Sequence, residues 1–146
     1  MPLTKGLMSS NTCEWATPKA FYDDLNKEFG FTLDPCSTHL NRKCEKYYTK
    51  EENGLSKDWS GETVFCNPPY GREIVEWVKK CHLEFTKGAT VVMLIPARTD
   101  TSYFHDYIYG KHEIRFIRGR LYFNDGKERA PFPSMVVVMR GADPCK

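Results

Sequence analysis

The feature that most constrains the fold is a nearly continuous apolar run at residues 90–95, TVVMLI in one-letter code. A strand with one solvated face alternates apolar and polar residues, whereas a run without alternation is typical of a strand covered on both faces. Strands of that kind occur in parallel sheets that carry helices on their faces. The run therefore predicts an α/β architecture with this strand inside it.

Helical and extended patterns alternate along the rest of the chain. Thr17-Pro18 has the hydroxyl cap and first-turn proline of a helix start, and Gly30 supplies its stop. Strands are predicted at 31–34, 63–66, 90–95, 113–117 and 134–140, and further helices at about 74–88 and 102–109. This order predicts a compact domain whose sheet is mostly parallel, with an antiparallel C-terminal hairpin.

Length and composition predict one domain over residues 1–146, in which 1–12 form a flexible arm without periodicity. The six cysteines are scattered, and the cysteines and histidines show no zinc-site spacing, so no metal is predicted. No apolar run is long enough to span a bilayer, and no signal peptide is evident. We therefore expect no membrane partner and a cytoplasmic location.

Polar residues and prolines follow three of the predicted strands. They are Asp34-Pro35-Cys36, Asn67 to Tyr70, and Pro96-Ala97-Arg98. In open α/β sheets, ligands bind at the carboxyl ends of the strands. The three segments are therefore expected to form one site, although Asp34 after a strand can also simply cap a turn.

The segment Asn67-Pro68-Pro69-Tyr70 has the most specific chemistry. The Asn67 side-chain oxygen and the Pro68 carbonyl are acceptors that can draw an aromatic amine, such as adenine N6, toward tetrahedral geometry for attack on a methyl sulfonium. Pro68 has no N–H of its own and a fixed φ, which helps to aim the neighbouring carbonyls. Tyr70 can stack on a flipped base and attract a sulfonium cation. The alternative is a proline-rich turn in which Asn67 caps its own backbone.

From about Trp15 to Val138 the chain resembles the phage-type DNA N-6-adenine methyltransferases. The motifs that carry the resemblance are Trp15, Thr17-Pro18, Leu33-Asp34-Pro35-Cys36, Leu55, Asp58-Trp59, Asn67-Pro68-Pro69-Tyr70-Gly71, Leu94 to Asp100, Gly119-Arg120-Leu121 and Phe123. The resemblance implies a Rossmann-like methyltransferase fold, S-adenosylmethionine as the cofactor, and adenine in double-stranded DNA as the acceptor. It also implies a bacterial or phage-infected host cell.

Carried over position by position, the resemblance implies roles for individual residues. Asp58 resembles an acid that often precedes the catalytic strand, and Phe123 resembles the aromatic that covers the other face of the flipped base. The catalytic motif is implied at Asn67, Pro68, Pro69 and Tyr70, and cofactor contacts at Thr17, Pro18, Asp34, Pro35, Cys36, Asp58 and Asn67. No G-x-G loop follows Asp34. The ribose-binding acid is therefore not assigned. Glu45 and Glu51 are candidates, but the alternative for each is a solvated surface acid.

Basic residues outnumber acidic ones between Lys111 and Arg129, and aromatic residues are interleaved with them. We predict DNA contacts by Arg118 and Arg120 there, together with Tyr70 and Phe123. Arg98 is a further candidate for phosphate contact, with a surface ion pair as an equal alternative. A solvated charged face is the other interpretation of the basic segment.

Two further hypotheses stay open at this point. The acceptor amine can instead belong to cytosine N4, an RNA base or a protein glutamine, although cytosine enzymes tend to carry Ser at the position of Asn67. Alternatively, the protein is a catalytically silent relative that binds nucleic acid, against which the intact Asn67-Pro68-Pro69-Tyr70 segment argues.

Overall fold

The computed structural model describes residues 15–141 of the chain. The predicted arm at 1–12 and the cysteines Cys13 and Cys145 lie outside the described residues. The helices are α1 (Lys19–Phe29), α2 (Ile74–Thr86) and α3 (Phe123–Gly126), and the strands are β1 (Thr63–Cys66), β2 (Thr90–Pro96), β3 (Glu113–Phe116), β4 (Glu128–Arg129) and β5 (Ser134–Met139). A 3₁₀ turn at Gly54–Ser56 and a π-helical turn at Phe104–Ile108 lie between them.

Four of these strands form one mixed sheet in the order β1-β2-β5-β3. β1 and β2 are parallel, whereas β5 is antiparallel to both of its neighbours, β2 and β3. The expectation of a mostly parallel sheet is therefore wrong. The sheet is mixed because β5 lies between β2 and β3 and not at the edge. The antiparallel pairing of β3 with β5 agrees with the expected C-terminal hairpin.

Beyond β1, the predicted strand at 31–34 forms only isolated bridges. Leu33 pairs in parallel with Val64, and Asp34 pairs in parallel with Tyr47. The Leu33 carbonyl accepts a hydrogen bond from the Phe65 N–H at 3.0 Å. Pro35 follows directly and has no N–H to continue a ladder, so the pairing ends there.

The first two helices begin and end near the residues that the sequence indicates. α1 begins at Lys19, with Pro18 as its N-cap and no side-chain hydrogen bond to cap it, so the predicted Thr17 cap is wrong; the Thr17 hydroxyl accepts from Asn67. The helix ends before Gly30, whose φ of 69° is the left-handed conformation that favours glycine. Five buried residues of α2 recur at helical spacing toward the sheet: Ile74, Trp77, Val78, Cys81 and Glu84. The predicted helix at 102–109 is present mainly as the π-helical turn.

The core is centred on β2 and β5, where residues 91–96 and all of β5 are buried. The buried carboxylate of Glu84 is compensated by three donors: it accepts from the Trp59 N–H at 2.6 Å, and Lys80 and Lys87 each lie 3.0 Å away. A buried charge without such partners would cost several kcal/mol, on the order of 3–5. Glu84 therefore anchors α2 to the segment that leads into β1. Within residues 15–141, no helix is long and apolar enough to cross a membrane.

His82 on α2 and His112 before β3 form a side-chain pair, with 3.1 Å between His82 Nδ1 and His112 Nε2. The ring of Phe85 packs edge-on against His112, at 4.6 Å between centroids. Burial, together with the nearby His82 and Lys111, lowers the pKa of His112 from 6.5 to about 4. Burial also lowers the pKa of His82. Both imidazoles are therefore neutral in the folded protein near neutral pH.

We predict that acid destabilises the fold through this pair. A histidine whose folded pKa is depressed contributes stability above its unfolded pKa of about 6.5, and loses it as the pH falls toward the folded value near 4. The free energy of unfolding, measured in urea, should fall by about 1 kcal/mol more between about pH 7 and about pH 5 in wild type than in His112→Gln, after allowance for solvent screening. Identical pH profiles for the two proteins would contradict the prediction.

Candidate active site

Three chain segments meet at the carboxyl edge of β1 and β2. Asn67 follows the end of β1, and Ala97 follows the end of β2, which runs parallel to β1. Because β5 runs the other way, its first residue lies at this same edge, where Ser134 pairs with Pro96. The Ala97 N–H donates to the Pro133 carbonyl at 2.8 Å. Residues 67–70, 97–98 and 132–133 are thus brought together, as expected for the first two segments.

The side-chain amide of Asn67 is held in one orientation. Its nitrogen donates to the carbonyl oxygen of Trp15 and to Thr17 Oγ1, the latter at 2.8 Å. A backbone carbonyl only accepts hydrogen bonds, so the amide nitrogen and not the oxygen must face Trp15. Both amide hydrogens are therefore in use, and Oδ1 is left facing Tyr70.

Tyr70 completes this arrangement from the other side. Its hydroxyl donates to Asn67 Oδ1 at 2.6 Å and to the Leu94 carbonyl at 2.9 Å, so one proton is shared between two acceptors. Burial raises the pKa of Tyr70 well above its ordinary value, which keeps the phenol protonated. An amide oxygen has two lone pairs. Asn67 Oδ1 therefore keeps acceptor capacity for a further N–H group.

A cleft of about 470 Å³ opens beside Tyr70. Its aromatic walls are Trp15, Tyr70, Tyr103 and Phe132, and Arg72 and Arg98 lie at it as well. The ring of Phe132 packs edge-on against Tyr70 at 5.5 Å and against Trp15 at 5.4 Å between centroids. The cleft combines ring faces with cations, which suits a flat aromatic ligand attached to anionic groups.

Phe123 does not line this cleft. It begins α3, is fully buried, and packs behind the wall against Trp15 at 5.4 Å and Phe132 at 6.1 Å between centroids. The aromatic surface that the cleft presents from this loop is Phe132 instead. Sequence reasoning did not single out Phe132, although its position between two prolines just before β5 is the available signal.

Asp34 is nearly fully buried and caps the loop that follows it. Its carboxylate accepts from the backbone N–H of Lys43 at 2.9 Å and of Cys36 at 3.4 Å. Burial raises the pKa of Asp34 to about 6, although these two hydrogen bonds lower it. Asp34 therefore shapes the Asp34-Pro35-Cys36 loop in the way that the turn-cap alternative describes.

A hollow of about 680 Å³ lies next to this loop. Tyr47, which pairs with Asp34, is one of its walls, and Glu45 and Glu51 both line it. The two acids considered for ribose binding thus share one surface. Glu52 also lines the hollow, but its carboxylate accepts from the backbone N–H of Thr49 at 2.9 Å.

Asp58 is not brought to this edge of the sheet. It is exposed, accepts from Ser60 Oγ at 2.6 Å, and lies 3.9 Å from Lys87, which follows α2. α2 starts near the carboxyl ends of the strands and ends just before the first residue of β2. Asp58 therefore lies at the opposite edge from Asn67.

Three arginines of the predicted basic segment, one in β3 and two after it, differ in whether their charge is paired. Arg115 is neutralised by Glu28, at 2.7 and 2.6 Å, and by Glu113 at 2.5 Å. Arg118 and Arg120 are exposed, and no ion pair forms at either of them within residues 15–141. Of these three arginines, only Arg118 and Arg120 carry charge that no described carboxylate neutralises.

Comparisons with known proteins connect this geometry to a family. Residues 6–144 match the family described as DNA N-6-adenine-methyltransferase (Dam). The chain is 33% identical over 119 residues to the DNA N-6-adenine-methyltransferase of Escherichia phage T1, covering 80% of this chain and 50% of that protein. It is 30% identical over 105 residues to the DNA N-6-adenine-methyltransferase of Haemophilus phage HP1 (strain HP1c1), covering 70% of this chain and 61% of that protein. The chain therefore spans between half and about three-fifths of the length of these relatives.

We predict that Gly54 is required for the shape of the Asp34-Pro35-Cys36 loop. A Cβ at Gly54 would overlap the carbonyl oxygen of Pro35, which is backbone and has little room to move. Gly54→Ala should lower the free energy of unfolding by about 3 kcal/mol, as overpacking does. Gly30→Ala is the matched control, because a Cβ there meets nothing and only the left-handed φ costs energy, about 1 kcal/mol. Equal losses in urea unfolding would contradict the prediction.

Proposed function

Because the chain belongs to the DNA N-6-adenine-methyltransferase (Dam) family, we propose that it transfers a methyl group from S-adenosylmethionine to the N6 amino group of adenine in double-stranded DNA. The family membership confirms the resemblance predicted from the motifs. The observation that carries the proposal is the fixed amide of Asn67, whose oxygen accepts from Tyr70, a wall of the cleft, and keeps acceptor capacity for a further N–H group.

The proposed fold is Rossmann-like, and residues 1–146 are proposed to form a single methyltransferase domain. Two observations support the fold. β1 and β2 are parallel and are extended by parallel bridges at Leu33 and Asp34. In addition, the residues proposed for chemistry follow the carboxyl ends of these strands, where α/β sheets bind ligands.

In the proposed mechanism, Asn67 and Pro68 act on the amine. Asn67 Oδ1 and the Pro68 carbonyl accept the two N–H groups of N6 and draw the nitrogen lone pair out of conjugation with the ring. S-adenosylmethionine supplies an electrophilic methyl group when bound. As the N6–CH₃ bond forms, the S–CH₃ bond breaks and its electron pair stays on sulfur. The methylated nitrogen is then acidic enough to release its proton to water, so no general base is assigned.

Tyr70, with Trp15 and Phe132, is proposed to cover the flipped base. Adenine must leave the duplex to reach Asn67, and base faces are held by stacking on aromatic rings. Pro69 is proposed to fix the turn between Pro68 and Tyr70. Phe123 supports the wall from behind in the structure, so its proposed contribution is to hold Trp15 and Phe132 in place.

The residues present fit an adenosyl cofactor beside the Asp34-Pro35-Cys36 loop. The hollow there contains Tyr47 as an aromatic wall and Glu45 and Glu51 as acceptors for ribose hydroxyls. The proposed cofactor-side residues are Pro18, Asp34, Pro35, Cys36 and Asn67, with Thr17 acting through its bond to Asn67. Asp58 is left out of this set because it lies at the opposite edge.

We predict that Asn67→Ala strongly slows methyl transfer while leaving both ligands bound. Purified protein is incubated with labelled S-adenosylmethionine and duplex DNA, and the modified nucleoside is identified after digestion. Wild type should yield N6-methyladenine, and Asn67→Ala should be slower by about 10²–10³-fold, the usual effect of losing one preorganised group that acts in the transition state. Dissociation constants for cofactor and DNA serve as controls and should stay within about threefold.

The same assay separates the alternatives. Label in N4-methylcytosine, in RNA or in protein would replace the proposed acceptor. A wild-type protein that binds DNA but transfers no label to any acceptor would favour the silent relative.

We predict that Arg118→Ala and Arg120→Ala each weaken DNA binding and reduce its salt dependence. Each lost phosphate contact should lower the slope of log K against log salt by about 0.9. Arg115→Ala is the matched control from the same segment, since Glu28 and Glu113 already neutralise that charge. Its slope should equal that of wild type. Unchanged slopes for both test variants would remove them from the proposed interface.

A further inference from the structure

The segment that orients Asn67 is itself held from behind by a distant residue. Asn124, in α3, forms a reciprocal pair of hydrogen bonds with Ala16. The Ala16 N–H donates to Asn124 Oδ1 at 3.1 Å, and the Asn124 N–H donates to the Ala16 carbonyl at 2.9 Å. Ala16 lies between the two residues that contact the Asn67 amide, Trp15 and Thr17.

The conformation of Asn124 suits this contact. Its φ of 57° is left-handed, which asparagine tolerates better than most residues. Its side-chain nitrogen donates to Glu128 Oε2 at 2.9 Å, which leaves Oδ1 aimed at Ala16. The side-chain oxygen and nitrogen of Asn124 are therefore both committed, and the amide cannot rotate without losing two hydrogen bonds.

Packing reinforces the same connection. Phe123, the neighbour of Asn124, is fully buried and contacts the Trp15 ring at 5.4 Å between centroids. The loop between β3 and β5 is thus joined to residues 15–17 by two hydrogen bonds and by the ring contacts of Phe123 and Phe132 with Trp15. Because residues 15–17 hold both hydrogens of the Asn67 amide, the position of this loop determines where Asn67 Oδ1 points.

We propose that Asn124 is a positioning residue for Asn67, acting through Ala16 and the Trp15–Thr17 contacts. Its effect on methyl transfer rests on the function proposed above, whereas its effect on the Asn67 amide does not. The same loop carries Arg118 and Arg120.

The direct test observes the Asn67 side-chain NH₂ by ¹⁵N–¹H NMR on the labelled full chain, with the signals assigned by their loss in Asn67→Asp. Asn124→Gly keeps the left-handed backbone but removes Oδ1, so the Asn67 NH₂ signals should shift or broaden. Asn124→Asp combined with Glu128→Gln restores an acceptor toward Ala16 and a donor–acceptor pair with residue 128. The signals should then return toward the wild-type positions. Glu128→Gln alone is the control and should leave them in place.

A second pair of variants tests the direct contact in case Asn124→Gly does not fold. Thr17→Val removes the hydroxyl that accepts from Asn67 at nearly constant shape, and Thr17→Ser keeps it. Thr17→Val should move the Asn67 NH₂ signals, and Thr17→Ser should leave them near the wild-type positions. Asn67 signals that are unmoved in folded Asn124→Gly, or unmoved in Thr17→Val if Asn124→Gly does not fold, would overturn the proposal.

Kinetics then connect positioning to chemistry. In single-turnover methyl transfer, Asn124→Gly should be about 10- to 100-fold slower with dissociation constants for cofactor and DNA near wild type, because small misplacements of a reacting group cost rate and not binding. The double variant should recover most of that rate. A slow rate that the double variant does not recover would contradict the proposal. If wild type methylates no DNA while the Asn67 signals respond as expected, the proposed function fails and the positioning role stands.

Discussion

The direction of β5 is the constraint on which the site depends. β5 is buried along its whole length and antiparallel to both neighbours, so its first residue lies at the edge where β1 and β2 end. The loop that leads into it must therefore cross that same edge. This places Phe132 against Tyr70 and brings Asn124 to Ala16. In a sheet with β5 reversed, the loop would enter β5 at the far edge. Asn124 could then not bond to Ala16, and the segment that contacts the Asn67 amide would lose this support.

Features that depend on neighbouring residues could be predicted from the sequence, whereas features that depend on residues far apart in sequence could not. α1, α2 and β2 were predictable because hydrophobic periodicity and a terminal glycine are local signals, although no side-chain hydrogen bond caps α1. The place of residues 67–70 directly after a strand was predictable because the two prolines that end the ladder are adjacent to it. The antiparallel pairing of β5 with β3 was predictable as a hairpin, but the position of β5 between β2 and β3 was not, since a strand buried on both faces has the same pattern whichever strands flank it. The contacts of Asn67 with residues 15–17 span about fifty positions of sequence, and no local pattern encodes them.

Charge shows the same limit of local reasoning. By composition, the basic residues from Lys111 to Arg129 form one group. In the structure, Arg115 is neutralised by Glu28, 87 positions earlier, while Arg118 and Arg120 are exposed. Arg115 and Arg140 also lie over the Phe29 ring, at 5.5 and 5.4 Å from its centroid, which adds cation–π attraction to the ion pairs. These cations join α1 to β3 and the end of β5, and are structural. Arg115 and Arg140 thus stabilise the fold, whereas the charges of Arg118 and Arg120 are not neutralised by a described carboxylate.

Both hydrogens of the Asn67 side-chain amide are already bonded, and this affects which bases the site can accept. Trp15 and Thr17 occupy both of them, so the group that meets an incoming base is an oxygen that can only accept. A keto oxygen, such as O6 of guanine or O4 of thymine, would set lone pair against lone pair at Asn67 Oδ1, and a buried mismatch of this kind costs about 1–3 kcal/mol. In the proposed function, the orientation of this one carboxamide, set by Trp15 and Thr17, would favour amino bases over carbonyl bases.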